Sequence, residues 1–463
     1  MPSQTDALRR SFADRLAELL AQSGVPGGAA AILWDGGTLT AASGLSSVRT
    51  RLAVDEQTAF RAASVTKVFV ATAVMKLVEA GSVALEDPVR RHLPDFSVQD
   101  DAAAEQVTVA DLLTHRGGWQ GDFIDDTGEN DDALELHVQN MRKLPQLAPP
   151  GEHFSYSNTG FCVLGRIIEQ VAGEPFEWAV RHLALEPCGI GDVKFSAAET
   201  ITGWFAVGHT QAEDGASVAD AWELPRCARP AGGAIATATA LCRFAAQFAG
   251  PSAHLSVETR ALMTTPRADA VGSENLADEV GLGWLLRDVD GTRVISHAGD
   301  VFGQHALLLA VPDARFAMAV TTNGDGGELV CESLARWALT ECLDLELAAA
   351  HAADFAGAEM AAEVAGAYQS SLSNVEVLVA ADGSARVTLE PRPLMPDWPA
   401  FGPTRRSPAK ILAGDVVLMT EDALADTRAR VIRDADGRVA FLRVEGRLAT
   451  RTRTMNTSQR NAQ

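Results

Sequence analysis

Residues 64–80, SVTKVFVATAVMKLVEA, are apolar on nearly every face once wound into a helix. Such a segment cannot lie on a surface and must be wrapped on all sides by other elements. That needs a domain with a large interior, which a chain of 463 residues can build. The segment stops at Gly81, as helices often do. Lys67 sits inside it, one turn from the start. A lysine there either snorkels its charge to water or is held for chemistry.

Composition narrows the classes. At 47% hydrophobic and 22% charged residues, the chain is neither a disordered tail, a collagen nor a small disulfide-stapled module. The 39 basic and 61 acidic residues give −22, which argues against nucleic acid or an anionic membrane as partner, both being polyanions. No stretch nears about 18 uninterrupted apolar residues, so no transmembrane helix is expected. The start, MPSQTDALRR, has no apolar run behind its charges, which predicts a cytoplasmic location. The six cysteines (162, 188, 227, 242, 331 and 342) are then expected to be reduced and buried. No C-x-x-C, H-E-x-x-H or clustered Cys/His set is present, so neither metal nor cofactor is expected.

Periodicity gives the organisation. Residues 6–23 read as an amphipathic helix, with Leu8, Phe12, Leu16, Leu19 and Leu20 on one side. AAAILW and TLTAASG, around Gly36-Gly37, read as paired strands. Helices follow at 107–113, with Thr108 as N-cap, at 160–172 and at 237–248. After about residue 281 come four strand-like runs closed by Gly, Asp or Pro turns, then a helix over 328–343. This order predicts an α+β fold: an antiparallel sheet flanked by helices, with an all-helical subdomain. We assign residues 1–347 to this domain, 348–367 to an Ala-rich connector and 368–463 to a small all-β domain. In the last, VEVLVA, ARVTLE, DVVLMT and VAFLRVE are split by turn signals at Asp382-Gly383, Gly414-Asp415 and Asp436-Gly437.

Three short patterns carry chemistry. In Ser64-Val65-Thr66-Lys67, positions i and i+3 share a helix face. A serine hydroxyl needs a base, and a lysine serves once burial disfavours its charge, whereas arginine cannot. Only five of the 39 basic residues are lysines, and one of them stands beside Ser64 in an apolar helix. The competing reading is a buried serine with a snorkelling lysine. A second S-x-x-K, Ser407-Pro408-Ala409-Lys410, contains a proline and reads as a surface loop. Tyr156-Ser157-Asn158 offers a phenol for proton relay and an amide for Lys67 and a substrate carbonyl; otherwise it is a loop tyrosine packing its ring. His297-Ala298-Gly299 ends a strand-like run. Gly299 lets a substrate backbone lie close, and His297 can orient it or tune proton transfer; otherwise it is a satisfied histidine at a turn. His115-Arg116-Gly117 follows a helix and ranks below it.

Together, S-x-x-K, Y-x-N and H-x-G in this order resemble the serine β-lactamase and penicillin-binding-protein-like superfamily. The likeness is closer to its class C-like branch, the S12 peptidases, which includes D-aminopeptidases, D,D-carboxypeptidases and esterases. RAASVTKVFVATAVMKLVEAGSVALEDPVRRHLPDF, VTVADLLTHRGGW, PPGEHFSYSNTGFCVLGRIIEQVAG and AGGAIATATALCRFAAQF all look like that family, over about residues 12–345. The resemblance implies a β-lactamase/transpeptidase-like fold. Ser64 is then the acylated nucleophile, Lys67 its partner base, Tyr156 the proton relay, and Asn158 a support for Lys67 and the substrate. The backbone N–H groups of Ser64 and Asp300 would form the oxyanion hole.

His297 stands where many relatives have a lysine. A largely neutral ring suits a carboxylate poorly, which favours an aminopeptidase or amidase of small, D-residue-containing peptides, or an esterase or transacylase, over a β-lactamase. An inactive binding or sensor module is the remaining class. Asp300 either faces solvent or turns inward to meet a substrate ammonium. The acidic stretch 121–135 reads first as a solvated loop, with a bias toward cationic or free-amine substrates as the sharper alternative. The C-terminal segment resembles the lipocalin-like barrel of some S12 peptidases, which implies a cover for the cleft or a surface for a homo-oligomer. The expected partner is a small-molecule or peptide substrate.

Overall fold

The computed structural model describes residues 4–454 except 213–214, 253, 274–276, 348–357, 381–383, 396–397, 399–401 and 422–423. Its centre is an eight-stranded antiparallel sheet. From one edge the strands run Gly37–Gly44, Gly27–Trp34, Phe316–Thr322, Gln304–Val311, Thr292–Val301 and Leu285–Val289, then the short Glu279–Val280 and Ala268–Asp269. The chain's first strand thus pairs with its last in this sheet, Ala31 opposite Ala319.

Alternation along the strands makes two cores. Leu307, Leu309 and Met318 face the terminal helices Gln4–Ser23 and Gly327–Leu343, packing on Phe12, Leu16, Leu334 and Leu339. Ala29, Ala31, Ala317 and Ala319 face the other way, with Leu308. Small residues there let helices Thr66–Glu79 and Ala238–Ala246 approach closely, and Phe69 and Phe244 meet edge to face at 4.6 Å. Eleven of the fourteen residues of Thr66–Glu79 are buried, including Lys67. A leucine-to-alanine change in such a core costs about 2–5 kcal/mol. Thr108 caps Val109–Leu113 through a full capping box with Asp111.

The second unit is a closed antiparallel barrel of eight strands in sequence order, from Gly366–Gln369 to Arg447–Thr454. Closure removes free sheet edges. Helix Ala358–Val364 lies within the stretch read as connector, and its Ala361 and Val364 join the barrel core. The Asp382-Gly383 turn and residues 455–463 lie outside the described residues.

One expectation is corrected. Ser407–Lys410 is not a surface loop but part of barrel strand Arg405–Leu412. The ladder to the next strand begins at Ala409, so Pro408 forfeits no bond there. On a strand, i and i+3 point to opposite faces. Ser407 is buried and Lys410 exposed, so this pair cannot act together.

Candidate active site

Ser64 sits in the single 3-10 turn Ala63–Val65 that opens helix Thr66–Glu79. Ala63 adopts a left-handed φ of 46°, which costs a side-chain-bearing residue about 1–2 kcal/mol. The turn is held from within: Thr66 Oγ1 donates to Ala63 O at 2.7 Å and accepts from the Ala234 N–H at 2.9 Å. Strand Thr292–Val301 presses on it. A Cβ added to Gly299 would lie 2.3 Å from Ala62 O and 2.8 Å from Ser64 N, so only glycine permits the approach.

Lys67 is fully buried, and its Nζ lies 3.1 Å from Ser64 Oγ, 2.8 Å from Asn158 Oδ1 and 2.6 Å from Ala231 O. The last two can only accept. In a neutral amine they take its two hydrogens. A neutral amine so held presents its lone pair to the hydroxyl, the arrangement a general base needs. The cation sits instead in charge-assisted bonds and above aromatic faces, with Nζ 4.8 Å from the Tyr156 ring centre and 5.7 Å from that of Phe161.

Tyr156 is layered between rings and cations. His115 stacks on it at 4.4 Å, His297 lies 6.1 Å away, and the Arg447 guanidinium sits 4.8 Å from its centre. Both histidines are buried and electrically neutral at physiological pH. Burial, then the Lys67 charge, pushes His297 down to about 3. Its Nδ1 lies 2.7 Å from Ala298 O, which only accepts, so Nδ1 carries the proton and Nε2 is a bare acceptor. That Nε2 has no hydrogen-bond partner among the described residues. Burial, followed by the Lys67 charge, drives His115 well below its ordinary value. His115 Nδ1 accepts from the Ser157 N–H at 3.0 Å. It thus forms a wall behind the tyrosine.

The sequence-derived residues Ser64, Lys67, Tyr156, Asn158, His297 and Gly299 therefore converge. Asp300 does not join them. Its side chain is 60% exposed and lies 3.7 Å from His305, which excludes the inward reading. The acidic stretch is also mostly engaged by the protein's own groups: Glu129 pairs with Arg229, Asp131 with Arg226, and Asp125 with His137 and Asn140. Glu129 and Asp131 nevertheless stay 66% and 78% exposed, as in a solvated loop.

Three site residues escaped the sequence. Asp122, with no side-chain exposure, accepts from Asn158 Nδ2 at 2.7 Å and so holds the amide that holds Lys67. The other two come from the barrel. Arg447 reaches Asp122 through Nε at 3.1 Å and Nη2 at 3.3 Å, while the Ser371 hydroxyl donates to the same carboxylate at 2.7 Å. The barrel hairpin Glu445-Gly446, both residues at positive φ, inserts below Tyr156, and Gly446 O accepts the Tyr156 N–H at 2.7 Å. Arg443 anchors the insertion on Asp269 Oδ2, Val271 O and Phe154 O. An aspartate in an acid-rich loop and arginines some 320 residues downstream bear no local signal linking them.

A sheet-and-helix domain that sets a Ser-x-x-Lys pair, its lysine buried, against a Tyr-x-Asn has the arrangement of β-lactamase-fold serine hydrolases. The chain belongs to the Beta-lactamase family, whose model matches residues 12–340. It is 34% identical over 320 residues to "Penicillin-binding protein 4" of Amycolatopsis lactamdurans, covering 67% of this chain and 84% of that protein. It is 37% identical over 172 residues to "Esterase EstB" of Burkholderia gladioli, covering 34% of this chain and 44% of the esterase. Among solved structures it is similar to SurE, with a TM-score of 0.76 and 27% identity over 96% of this chain and 99% of that one. A structure of SurE with D-Leu matches over the same shares, with a TM-score of 0.74 and 26% identity. Those two alignments take in nearly the whole chain, barrel included. Among the described residues no helix is long and apolar enough to cross a membrane.

Proposed function

We propose that this chain is an acyl-enzyme-forming serine hydrolase acting on amide bonds of small peptides or amides, with a preference for D-residues. The observation that carries this reading is the Lys67 amine, 3.1 Å from Ser64 Oγ and pinned by two carbonyl oxygens. Ser64 attacks the carbonyl and Lys67 takes its proton. Tyr156 and Lys67 deliver a proton to the leaving amine, and water then deacylates the ester. The Ser64 N–H, with the N–H of Asp300, stabilises the oxyanion. The neutral His297, with its bare Nε2, supports a substrate that offers a hydrogen-bond donor, such as an amine or amide N–H, over one that offers a carboxylate. The D-preference rests on the likeness to SurE, whose structure with D-Leu is known.

An esterase or transacylase using the same residues is the second reading, favoured by the identity to the Burkholderia esterase. The six unpaired cysteines support a reducing, cytoplasmic compartment. A homo-oligomer is read by light scattering. The test of function has two stages. A fluorophosphonate probe should label the peptide containing Ser64 in the wild type and not in Ser64→Ala. D- and L-aminoacyl p-nitroanilides, p-nitrophenyl esters and a chromogenic cephalosporin are then compared. Faster turnover of D-anilides supports the first reading, and faster esters with inert anilides the second. A folded protein that forms no adduct is a binding module.

A further inference from the structure

Where the barrel docks on the sheet-and-helix domain, the seam leaves a cleft of about 170 Å3. Gln120 and Leu147 line it from one domain, and Arg392, Arg447, Leu448 and Thr450 from the other. Both walls are fixed by hydrogen bonds to backbone carbonyls. On the first, the Gln120 N–H donates to Pro145 O at 3.0 Å and the Leu147 N–H to Gly118 O at 2.8 Å. On the second, the Arg392 N–H donates to Leu372 O at 2.6 Å and its Nη1 to Ser370 O at 2.7 Å.

Among the described residues the lining holds two guanidiniums and no carboxylate, in a chain with 61 acidic and 39 basic residues. The two arginines differ. Arg447 is matched: it gives Nε and Nη2 to Asp122 and Nη1 to Glu445 O. Arg392 makes no ion pair among the described residues, and the bond to Ser370 O uses one of its five N–H donors. The Gln120 amide and the Thr450 hydroxyl likewise have no side-chain bond among the described residues. One unmatched positive charge, one amide and one hydroxyl thus border the same half-enclosed space.

We propose that this cleft binds a short monocarboxylate carrying an uncharged amide or hydroxyl, its carboxylate on Arg392 and its polar body against Gln120 and Thr450. The planar guanidinium fork matches a carboxylate, and a charge-assisted bond is about twice as strong as a neutral one. A single negative charge balances Arg392, whereas a dianion would bring surplus charge near Asp122, which the lining residue Ser371 contacts at 2.7 Å. No carboxylate lines the cleft to meet an ammonium, so an N-acylated amino acid fits better than a free one. A cavity of about 150 Å3 admits benzene, so about six to eight heavy atoms fit here. Such a ligand would bridge Gln120 of one domain to Arg392 of the other. The site is separate from the nucleophile: Asp122 takes Arg447 and Ser371 of the lining on one side and Asn158, the partner of Lys67, on the other. It therefore stands whichever acyl donor Ser64 prefers.

The full-length chain is titrated calorimetrically with N-acetylglycine at fixed ionic strength. We expect saturable binding of one molecule per chain, at least tenfold weaker for glycine, for the uncharged N-acetylglycinamide and for inorganic phosphate. Arg392→Met should weaken N-acetylglycine at least tenfold, and Ser64→Ala should bind it as the wild type does. No saturable binding up to about 10 mM overturns the proposal. So does wild-type affinity in a folded Arg392→Met, phosphate binding as tightly as N-acetylglycine, or loss of binding in a folded Ser64→Ala, which would put the probe at the nucleophile. Should Arg392→Met fail to fold, Gln120→Ala decides: affinity at least threefold weaker supports the site, and unchanged affinity overturns it.

Discussion

Replacing Arg447 by methionine tests whether the barrel completes the active site. Methionine keeps most of the apolar stem and removes the guanidinium that covers Tyr156 and pairs with Asp122. Asp122 has no exposed side-chain surface, so the change leaves a buried carboxylate with Ser371 and Asn158 as its side-chain donors among the described residues. Breaking a buried pair from one side costs about 3–5 kcal/mol. Arg447 keeps 20% of its side-chain surface in water and two donors remain on Asp122, which puts the cost at the low end, about 3 kcal/mol. The loss should pass to chemistry, because Asp122 orients the Asn158 amide whose oxygen holds Lys67. If most of it appears at the transition state, labelling of Ser64 by a fluorophosphonate slows about 100-fold, a factor of 10 per 1.36 kcal/mol. Both quantities are accessible without knowing the substrate: the urea midpoint by circular dichroism, and the saturating labelling rate separated from probe affinity. A double-mutant cycle with Asp122→Asn isolates the pair, with an expected coupling of about 2–3 kcal/mol. Wild-type labelling by a folded Arg447→Met protein, or additivity within about 0.5 kcal/mol, would refute the reasoning.

Other expectations follow from the same geometry. Ser64→Ala should abolish turnover by roughly 10³-fold or more while leaving the melting temperature nearly unchanged, measured with the best anilide and by calorimetry. Gly299→Ala drives a methyl against Ala62 O and Ser64 N; labelling should fall sharply and stability by about 1–3 kcal/mol, and unchanged labelling would show that the strand can retreat. Gly446→Ala adds a Cβ at φ 78°, 3.2 Å from Tyr156 Cβ, and should cost about 1 kcal/mol in a urea titration. For His297 the folded pKa, about 3, lies below the unfolded value near 6.5. The unfolded chain therefore binds the proton first as pH falls, so this residue's stabilising share is whole above pH about 6.5 and declines toward pH about 3, by about 1.4 kcal/mol per unit. His297→Gln, which cannot titrate, should flatten that part of the stability–pH curve. A wild-type curve already flat between pH 4 and 6 would contradict the burial argument.

Periodicity and turn chemistry carried most of the fold into view. The helix over 64–80 had to be central because almost no face of it could meet water, and the runs after residue 281, each closed by a Gly, Asp or Pro turn, read as strands. The pairing of strand Gly27–Trp34 with Phe316–Thr322, nearly three hundred residues on, was not legible, because neither strand encodes its partner. Proline hid the strand at Ser407–Lys410, since Pro408 is paired on one side only, opposite Arg386, and the ladder on its other side starts at Ala409.

The sequence alone pointed to Ser64, Lys67, Tyr156, Asn158, His297 and Gly299, though not to Asp122 behind them. A serine and a lysine one helical turn apart share a face whatever surrounds them, and a glycine after a strand histidine leaves room only a glycine can leave. Tertiary structure decided everything that depends on electrostatic company. It neutralised His297 and turned Asp300 outward. It spent the acidic loop on internal ion pairs, and it brought Arg447 from the barrel to the carboxylate behind Asn158. Local backbone geometry acts over a few residues and can be read from spacing, whereas burial and charge pairing depend on which distant segments the folded chain brings together.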